Sequence, residues 1–176
     1  MPVAAPILDL SVPENLAAVT ELQLFMGQRD FSVFLKWVVT RDADGYLAPM
    51  PIALGRMPDG TPEPDPLQRR IDTGELLPRP AAWPHLSEMA ADLGSGRSMA
   101  YLKSRQMMFT WVLAAYALYK AMERGDVFYL SQGQEYADAV IQRVELILEH
   151  LPKELVAPRK KPWNTTQLSF IHGAIK

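Results

Sequence analysis

The sequence predicts a mixed α/β fold with a parallel sheet and crossover helices. A short apolar run at 99–102 is followed by a polar turn, a long helix from about residue 109 to 124 and a second strand at 127–131. The helix is apolar on nearly all sides, so it must be covered on several faces, as a helix packed on a sheet is. Because such connections are right-handed and join parallel strands, we expect a right-handed β-α-β crossover with the loop at the carboxyl edge of the sheet.

A helical leader is predicted before this unit. Pro13, Glu14 and Asn15 can open a helix, and apolar residues follow at helical spacing up to about residue 39, interrupted by Asp30. Nine prolines between 42 and 84 then remove backbone donors, and no regular element is expected there. The predicted division is a helical leader with a Pro-rich connection at 1–84, and the α/β unit at 85–176.

Three further elements complete the prediction. A short helix at 87–93 is ended by Gly94 and Gly96, and an amphipathic helix at 135–151 ends at Pro152. Residues 166–171 alternate like a strand, with a turn at 172–173 and a partner strand from 174. A strand that begins there has unmet pairing, so we expect the reading frame to continue beyond Lys176.

The composition excludes several classes of protein. A net charge of −2 does not fit a globally basic nucleic-acid binder, and the lack of cysteine rules out disulfides, thiolate catalysis and cysteine-ligated zinc. The three histidines have no ligand spacing. The first residues lack a basic region typical of a signal peptide, and the longest apolar run is well short of the ~20 residues that cross a bilayer. We expect a cytosolic protein without a membrane partner.

The polar turn before the long helix has the length of the phosphate-binding loop GxxxxGK[ST]. In such loops, backbone N–H groups and a helix N-terminus surround the phosphates, a lysine neutralises them, and a hydroxyl reaches Mg²⁺. Only Thr110 matches the motif; Lys103 and Met108 stand at the two glycine positions, and Phe109 replaces the lysine. From spacing alone, a polar turn remains the simpler interpretation.

The segment KSRQMMFTW closely resembles the large terminase subunits of phages, the ATPases that package viral DNA. The likeness extends to the Tyr/Ala-rich helix after it, to a strand ending in LSQ and to a helix ending in EHLP. In that family the basic residue often stands at the start of the loop. The resemblance covers the chain from about Phe25 onward, although this is well under half of a full family member.

The resemblance implies the N-terminal half of a P-loop NTPase-like domain, truncated before the Walker B strand and the nuclease domain. It assigns nucleotide binding to Lys103, Ser104, Arg105, Gln106, Met107, Met108, Phe109 and Thr110. Lys103 is implied to contact the β- and γ-phosphates and Thr110 to help hold Mg²⁺, so that ATP and Mg²⁺ are the implied cofactors. The implied partners are viral double-stranded DNA, the procapsid portal and the small terminase subunit, with a possible homo-oligomer, in the host cytoplasm.

No apolar strand ending in Asp-Glu is present, so no catalytic residue is assigned and little or no ATP hydrolysis is expected. Two alternatives stay open: a helicase-like P-loop ATPase, and a non-catalytic interaction module whose loop is only a turn. Nucleotide binding separates the interaction module from the two ATPases.

Three weaker candidates compete with simple packing or a solvated loop. Trp83-Pro84 is a candidate adenine wall, Ser131-Gln132 a candidate ligand site at a strand end, and Arg159-Lys160-Lys161 a candidate DNA-phosphate contact.

Overall fold

The computed structural model describes residues 13–41, 44–52, 71, 73, 74, 83–101, 108–123, 125–130, 132–164, 167–170 and 173–176. Within them the fold is mixed α/β, with five α-helices and two sheets. The elements are α1 Pro13–Gly27, α2 Phe31–Phe34, β1 Val39–Arg41, β2 Leu47–Pro49, α3 Pro84–Gly94, α4 Phe109–Glu123, β3 Asp126–Val127, α5 Gln134–His150, β4 Arg159–Asn164, β5 Gln167–Phe170 and β6 Ala174–Ile175. Two 3-10 turns, Leu35–Trp37 and Lys153–Leu155, follow α2 and α5.

The leader is helical as predicted as far as the first 3-10 turn. Asp30 separates α1 from α2, and its carboxylate accepts hydrogen bonds from the N–H groups of Ser32 at 2.8 Å and Val33 at 3.3 Å. This carboxylate caps α2, because the first N–H groups of a helix have no acceptor within the helix. Beyond the 3-10 turn the chain becomes the strand β1, which the sequence pattern did not indicate.

The prediction that no regular element forms in the Pro-rich segment is wrong at residues 47–49. There β2 pairs antiparallel with β1, and Val39 lies opposite Pro49. Pro49 is compatible with this strand because it is the last residue of β2 in a two-stranded sheet. At that position its missing N–H removes little of the hydrogen bonding between the strands. Residues 53–70 lie outside the described part of the chain.

The predicted short helix is confirmed as α3, and it begins earlier than expected, with Pro84 at its first turn. Proline suits that position because its missing N–H would have no acceptor there. At the other end, the Ser95 hydroxyl donates to the Asp92 carbonyl at 2.6 Å, and Gly96 takes a φ of +69°. A left-handed glycine just beyond the last turn ends the helix, as the sequence predicted.

The long helix α4 lies at the centre of the core, as its apolar surface predicted. Its central residues are almost fully buried, and it contacts α2, α3, α5, β3, β5 and β6. Four alanines, at 114, 115, 117 and 121, keep its surface narrow, so that neighbouring elements approach closely. The predicted amphipathic helix is confirmed as α5, whose buried stripe is Val140, Ile141, Val144, Ile147 and Leu148.

The larger sheet is mixed and has the strand order β3-β6-β5-β4. The predicted C-terminal hairpin is confirmed: β5 pairs antiparallel with β6, with Leu168 opposite Ile175. β6 also pairs parallel with β3, and the Lys176 N–H donates to the Val127 carbonyl at 2.8 Å. The next ladder bond runs from the Tyr129 N–H to the Lys176 carbonyl at 2.9 Å.

The predicted strand at 99–102 and the crossover built on it are wrong for the residues that the structure describes, and of the predicted second strand at 127–131 only Val127 lies in a strand among those residues. Residues 99–101 are irregular, and the parallel partner of β3 is β6. The ring of Tyr101 packs on Phe109 at a centroid distance of 5.0 Å, and Ala100 is exposed. A short apolar run does not by itself predict a strand, because pairing also requires a partner strand in space. A parallel sheet of the P-loop type is therefore not confirmed.

The helices in the described part of the chain are not membrane-spanning helices. None of its helices combines the length and the apolar character needed to span a bilayer.

Candidate phosphate-binding loop and aromatic pocket

The entry to α4 is the described part of the predicted phosphate-binding loop. Five of its eight residues lie outside the described residues, namely Lys103, Ser104, Arg105, Gln106 and Met107. Met108 immediately precedes α4, and Phe109 and Thr110 are its first two residues. The geometry of the loop is therefore defined at its last three positions.

Met108 adopts a left-handed backbone conformation with a φ of +55°. Its carbonyl accepts hydrogen bonds from the Trp111 N–H at 2.9 Å and the Val112 N–H at 3.2 Å, and so begins the helix. For a residue with a Cβ this conformation costs about 1–2 kcal/mol. Met108 stands where the phosphate-loop motif has its second glycine, the residue type that adopts this conformation without strain.

The N-terminus of α4 presents positive electrostatic potential toward the loop. The first N–H groups of a helix have no acceptor within it, and the aligned peptide dipoles add partial positive charge at this end. Thr110 is half-buried in this first turn. Among the described residues, no three His, Asp or Glu side chains are grouped to hold a metal ion. The assignment of Thr110 as an Mg²⁺ ligand stays a prediction.

A cavity of about 420 Å³ opens beside the entry to α4. We call it the aromatic pocket, and it is lined by Leu93, Gly96, Arg97, Met99, Tyr101, Phe109, Leu113 and Tyr116. The sequence reasoning missed this pocket. The sequence pattern that could have indicated the pocket is Phe109, Leu113 and Tyr116, which share one face of α4 at helical spacing. Residues packed in a core show the same pattern, so it does not predict a pocket.

The walls of the aromatic pocket are held by specific contacts. Tyr116 donates its hydroxyl to the Leu93 carbonyl at 3.0 Å, and its ring meets Phe31 of the core edge-on at 5.0 Å. Tyr101 and Phe109 meet edge-to-face and form a corner. Burial raises the pKa of Tyr101, and the adjacent Asp92 carboxylate, which accepts a hydrogen bond from this phenol, raises the pKa further.

Arg97 supplies the positive charge of the aromatic pocket. Its side chain is exposed, and Nε donates to the Ser95 hydroxyl at 3.3 Å. No carboxylate among the described residues forms an ion pair with this guanidinium. Arg97 lines the cavity, and its guanidinium has further N–H groups that can donate hydrogen bonds to a ligand.

A second cavity, of about 300 Å³, lies between α1, α4 and the 3-10 turn that follows α5. Its lining includes Gln28, Tyr119, Glu123 and Glu154. Burial raises the pKa of the Tyr119 phenol to about 12, and the nearby carboxylates of Glu123 and Asp30 contribute to the increase. The phenol is therefore protonated at neutral pH. Because burial and the nearby carboxylates all favour the protonated form, Tyr119 is not activated as a general base.

The weaker candidates lie apart from the aromatic pocket. Trp83 is half-buried against the core. Its backbone N–H donates to the Pro51 carbonyl at 2.9 Å, and its ring centroid lies 5.5 Å from that of His85. It does not line the cavity, so the packing interpretation fits it better than the adenine wall. Ser131 lies outside the described residues, and Gln132 is exposed.

The basic cluster 159–161 belongs to the strand β4, so the expectation of a solvated loop is wrong in its secondary structure. All three side chains are exposed, and the Arg159 guanidinium lies 4.6 Å from the Trp163 ring centroid. β4 is the edge strand of the sheet, where lysines and Pro162 also discourage pairing with other chains. This structural role does not depend on a DNA contact, which stays a prediction.

No protein-family model matches the chain, and no curated protein matches it. The fold defines the class as a mixed α/β protein with a central buried helix. The entry to that helix and the pocket beside it are therefore the two features on which a functional proposal can stand.

Proposed function

We propose that the segment Lys103 to Thr110 binds the phosphates of ATP with Mg²⁺. On this proposal the chain is the N-terminal part of a P-loop-type ATPase domain in a viral DNA-packaging motor of the large terminase type. The observation that carries the proposal is the left-handed backbone of Met108 at the second glycine position of the motif, directly before a buried helix.

The physical reason is the direction of the backbone N–H groups. When a left-handed residue adjoins helical ones, successive N–H groups point toward a common centre and form a concave site for an anion. A helix N-terminus next to that site adds further donors and a favourable dipole. The left-handed strain at Met108 is of the kind that proteins retain where a ligand site requires it.

The residues before Met108 supply the charge in this proposal. Lys103 neutralises the β- and γ-phosphates, and Arg105 and Gln106 line the phosphate site. Bound Mg²⁺ would offset charge on the phosphates, and the Thr110 hydroxyl at the start of α4 is the group of this chain suited to help hold it. Since no acidic cluster accompanies Thr110 among the described residues, we propose binding without appreciable hydrolysis.

The wider activity is part of the same proposal. The full motor would translocate viral double-stranded DNA through the procapsid portal with the small terminase subunit, as a homo-oligomer. A helicase-like ATPase would use the same nucleotide site, and binding experiments on this chain do not distinguish it from a packaging motor.

The direct test is calorimetric titration of the full chain with MgATP, comparing wild type, Lys103→Ala and Lys120→Ala. Lys120 is the matched control, because it lies near the other end of α4 and pairs with Glu123 at 2.7 Å. A hydrogen bond to a charged group contributes about 1.5–3 kcal/mol, so Lys103→Ala should weaken binding roughly 10- to 150-fold. Equal affinities for the two variants would end the assignment of Lys103, and a folded wild type that ignores MgATP would refute the proposal.

Met108 offers a second test, of the backbone conformation itself. Met108→Gly should preserve or tighten MgATP binding, because glycine adopts a positive φ without strain. Met108→Ile keeps an apolar side chain but places a β-branched residue where it is strongly disfavoured, so it should weaken binding. The reverse order of affinities would remove the supporting observation.

A non-catalytic interaction module is the second candidate, and a surface feature favours it. Three large apolar side chains, two directly after β3 and one in the first turn of α5, are well exposed: Phe128 at 66%, Leu130 at 92% and Tyr136 at 65%. Exposed patches of this kind mark association surfaces, here for a second copy of the chain. A chain that ignores nucleotide but dissociates from dimer to monomer on Leu130→Ser, measured by sedimentation, would support this candidate.

A further inference from the structure

We infer that the aromatic pocket binds the base of the nucleotide, as a stacking site for a planar heterocycle. This inference rests on the proposed function and names the part of the ligand that the phosphate loop does not contact. It assigns the base to Tyr101, Phe109 and Tyr116 instead of Trp83.

The size and lining of the cavity fit such a ligand. Its volume of about 420 Å³ falls within the range of roughly 300–1,000 Å³ typical of small-molecule sites. Six of its eight lining residues are apolar or aromatic, and Arg97 is its charged member. Apolar walls with a few polar groups are the usual composition of pockets for heterocyclic ligands.

The aromatic walls differ in how firmly they are held. Tyr116 is fixed from two sides, by its hydroxyl bond to Leu93 and by the ring of Phe31. Tyr101 is 37% exposed, so its ring can rotate over a bound base without disturbing the core. One fixed wall and one adaptable wall suit a flat ligand that enters from solvent.

The polar groups favour a nucleobase over an aliphatic chain. Arg97 donates hydrogen bonds in a planar fork, and ring nitrogens and carbonyl oxygens of bases are acceptors of the right geometry. An alkyl ligand would leave the guanidinium without a partner at the cavity, whereas a base edge satisfies it.

The location connects this pocket with the phosphate loop. The lining residues on α4 run from Phe109, which directly follows Met108, to Tyr116. At 1.5 Å per residue this row extends about 10 Å from the helix N-terminus. A base in the pocket would therefore lie within about 10 Å of the α4 N-terminus, next to which the phosphates are proposed to bind.

The experiment titrates the full chain with three probes: MgATP, adenosine, which has no phosphate, and Mg-tripolyphosphate, which has no base. Each probe is measured on wild type, Tyr101→Ala, Tyr101→Phe and Tyr136→Ala. Tyr136 is a matched control, because it is an exposed tyrosine on α5 that does not line the pocket. Tyr101→Ala should weaken MgATP and adenosine roughly 5- to 150-fold, the range for loss of one base-stacking ring, without changing tripolyphosphate binding. Tyr136→Ala should bind all probes like wild type, and Tyr101→Phe, which keeps a stacking ring, should bind MgATP and adenosine more tightly than Tyr101→Ala.

The outcomes separate this inference from the proposed function. If MgATP and tripolyphosphate bind equally well and Tyr101→Ala changes neither, the pocket assignment is refuted and the phosphate loop stands. If adenosine binds in a Tyr101-dependent manner but tripolyphosphate does not bind, the pocket stands and the proposed function is refuted. If circular dichroism shows a folded chain that binds none of the probes, both are refuted.

Discussion

Replacing Gly173 by alanine should destabilise the fold strongly, although the change adds only one methyl group. Gly173 lies in the turn between β5 and β6, and its carbonyl accepts a hydrogen bond from the Phe170 N–H at 2.7 Å. The turn packs against the end of α4. A Cβ on Gly173 would lie 2.8 Å from the Ala121 carbonyl oxygen and would collide with the Gly125 carbonyl.

The magnitude follows from what blocks the added methyl group. Overpacking of a core costs about 1–3 kcal/mol when side chains can move away. Here the obstacles are two backbone carbonyls, which move only with the end of α4, so we expect a loss of about 3 kcal/mol, the upper end of that range. For a chain of this size, each 1 kcal/mol lowers the melting temperature by about 2–4 °C, which gives a decrease of about 6–12 °C.

Thermal unfolding followed by circular dichroism measures this decrease, with Gly94→Ala as the control. Gly94 is the last residue of α3, has no positive φ, and a Cβ there meets nothing within 4 Å. Gly94→Ala should therefore stabilise slightly, by about 0.4–1 kcal/mol, because alanine restricts the unfolded chain. A Gly173→Ala protein that melts within about 2 °C of wild type, the shift expected for less than 1 kcal/mol, would refute the described packing of the hairpin on α4.

Three smaller predictions concern single side chains. Asp30→Ala should lower the free energy of unfolding in urea by about 0.5–2 kcal/mol, because it removes the cap of α2; no change beyond the error of the fit would contradict the cap. The pKa of Tyr119 is about 12 in the folded protein and near 10 in the unfolded chain, so the unfolded chain loses its proton first as the pH rises. Wild type should therefore lose about 1–2 kcal/mol of stability between about pH 10 and 12, less than the full shift implies because solvent screens the group, and Tyr119→Phe should lack this loss; parallel declines in both proteins would count against the buried phenol. The Lys176 ammonium, through its hydrogen bond, holds the pKa of the Asp126 carboxyl below its ordinary value, so the contribution of this pair is present above that value and is lost as the pH falls through the lowered pKa. Lys176→Gln should return the Asp126 pKa toward its ordinary value in a carboxyl NMR titration; an unchanged titration curve would exclude the pair.

The helices α4 and α5 were predictable from the sequence because each is long enough for its apolar pattern to repeat. Both α4 and α5 lie within one residue of their predicted bounds, and the glycines near 94–96 marked the end of α3 correctly. The hairpin of β5 and β6 was also predicted, because its turn and its two short strands are adjacent in the chain.

The short strands were not predictable in the same way. β1 and β2 have three residues each, and the apolar run at 99–101 is equally short, yet only the first two form a ladder. In runs of this length, pairing depends on whether a partner strand is present in space. The sequence pattern contains no information about that partner.

The candidate site also combines features that the sequence predicts with features that only the structure shows. The loop length and the position of Thr110 are visible in the sequence, whereas the left-handed φ of Met108 is not, since methionine rarely adopts it. The aromatic pocket was also beyond the sequence, because its lining comes from α3, α4 and the segment between them.

The sequence by itself determined the helices α4 and α5, their buried faces and the C-terminal hairpin, because these depend on local periodicity and on neighbouring residues; the apolar residues Leu22 and Phe25 of α1 are exposed. The tertiary structure alone decided that β3 pairs with β6, that Tyr101 packs on Phe109, and that Gly173 meets the end of α4. Each of these contacts joins surfaces whose complementarity arises only after the helices have packed. Their energies depend on distances of a few ångströms, which local patterns of apolar and polar residues do not specify.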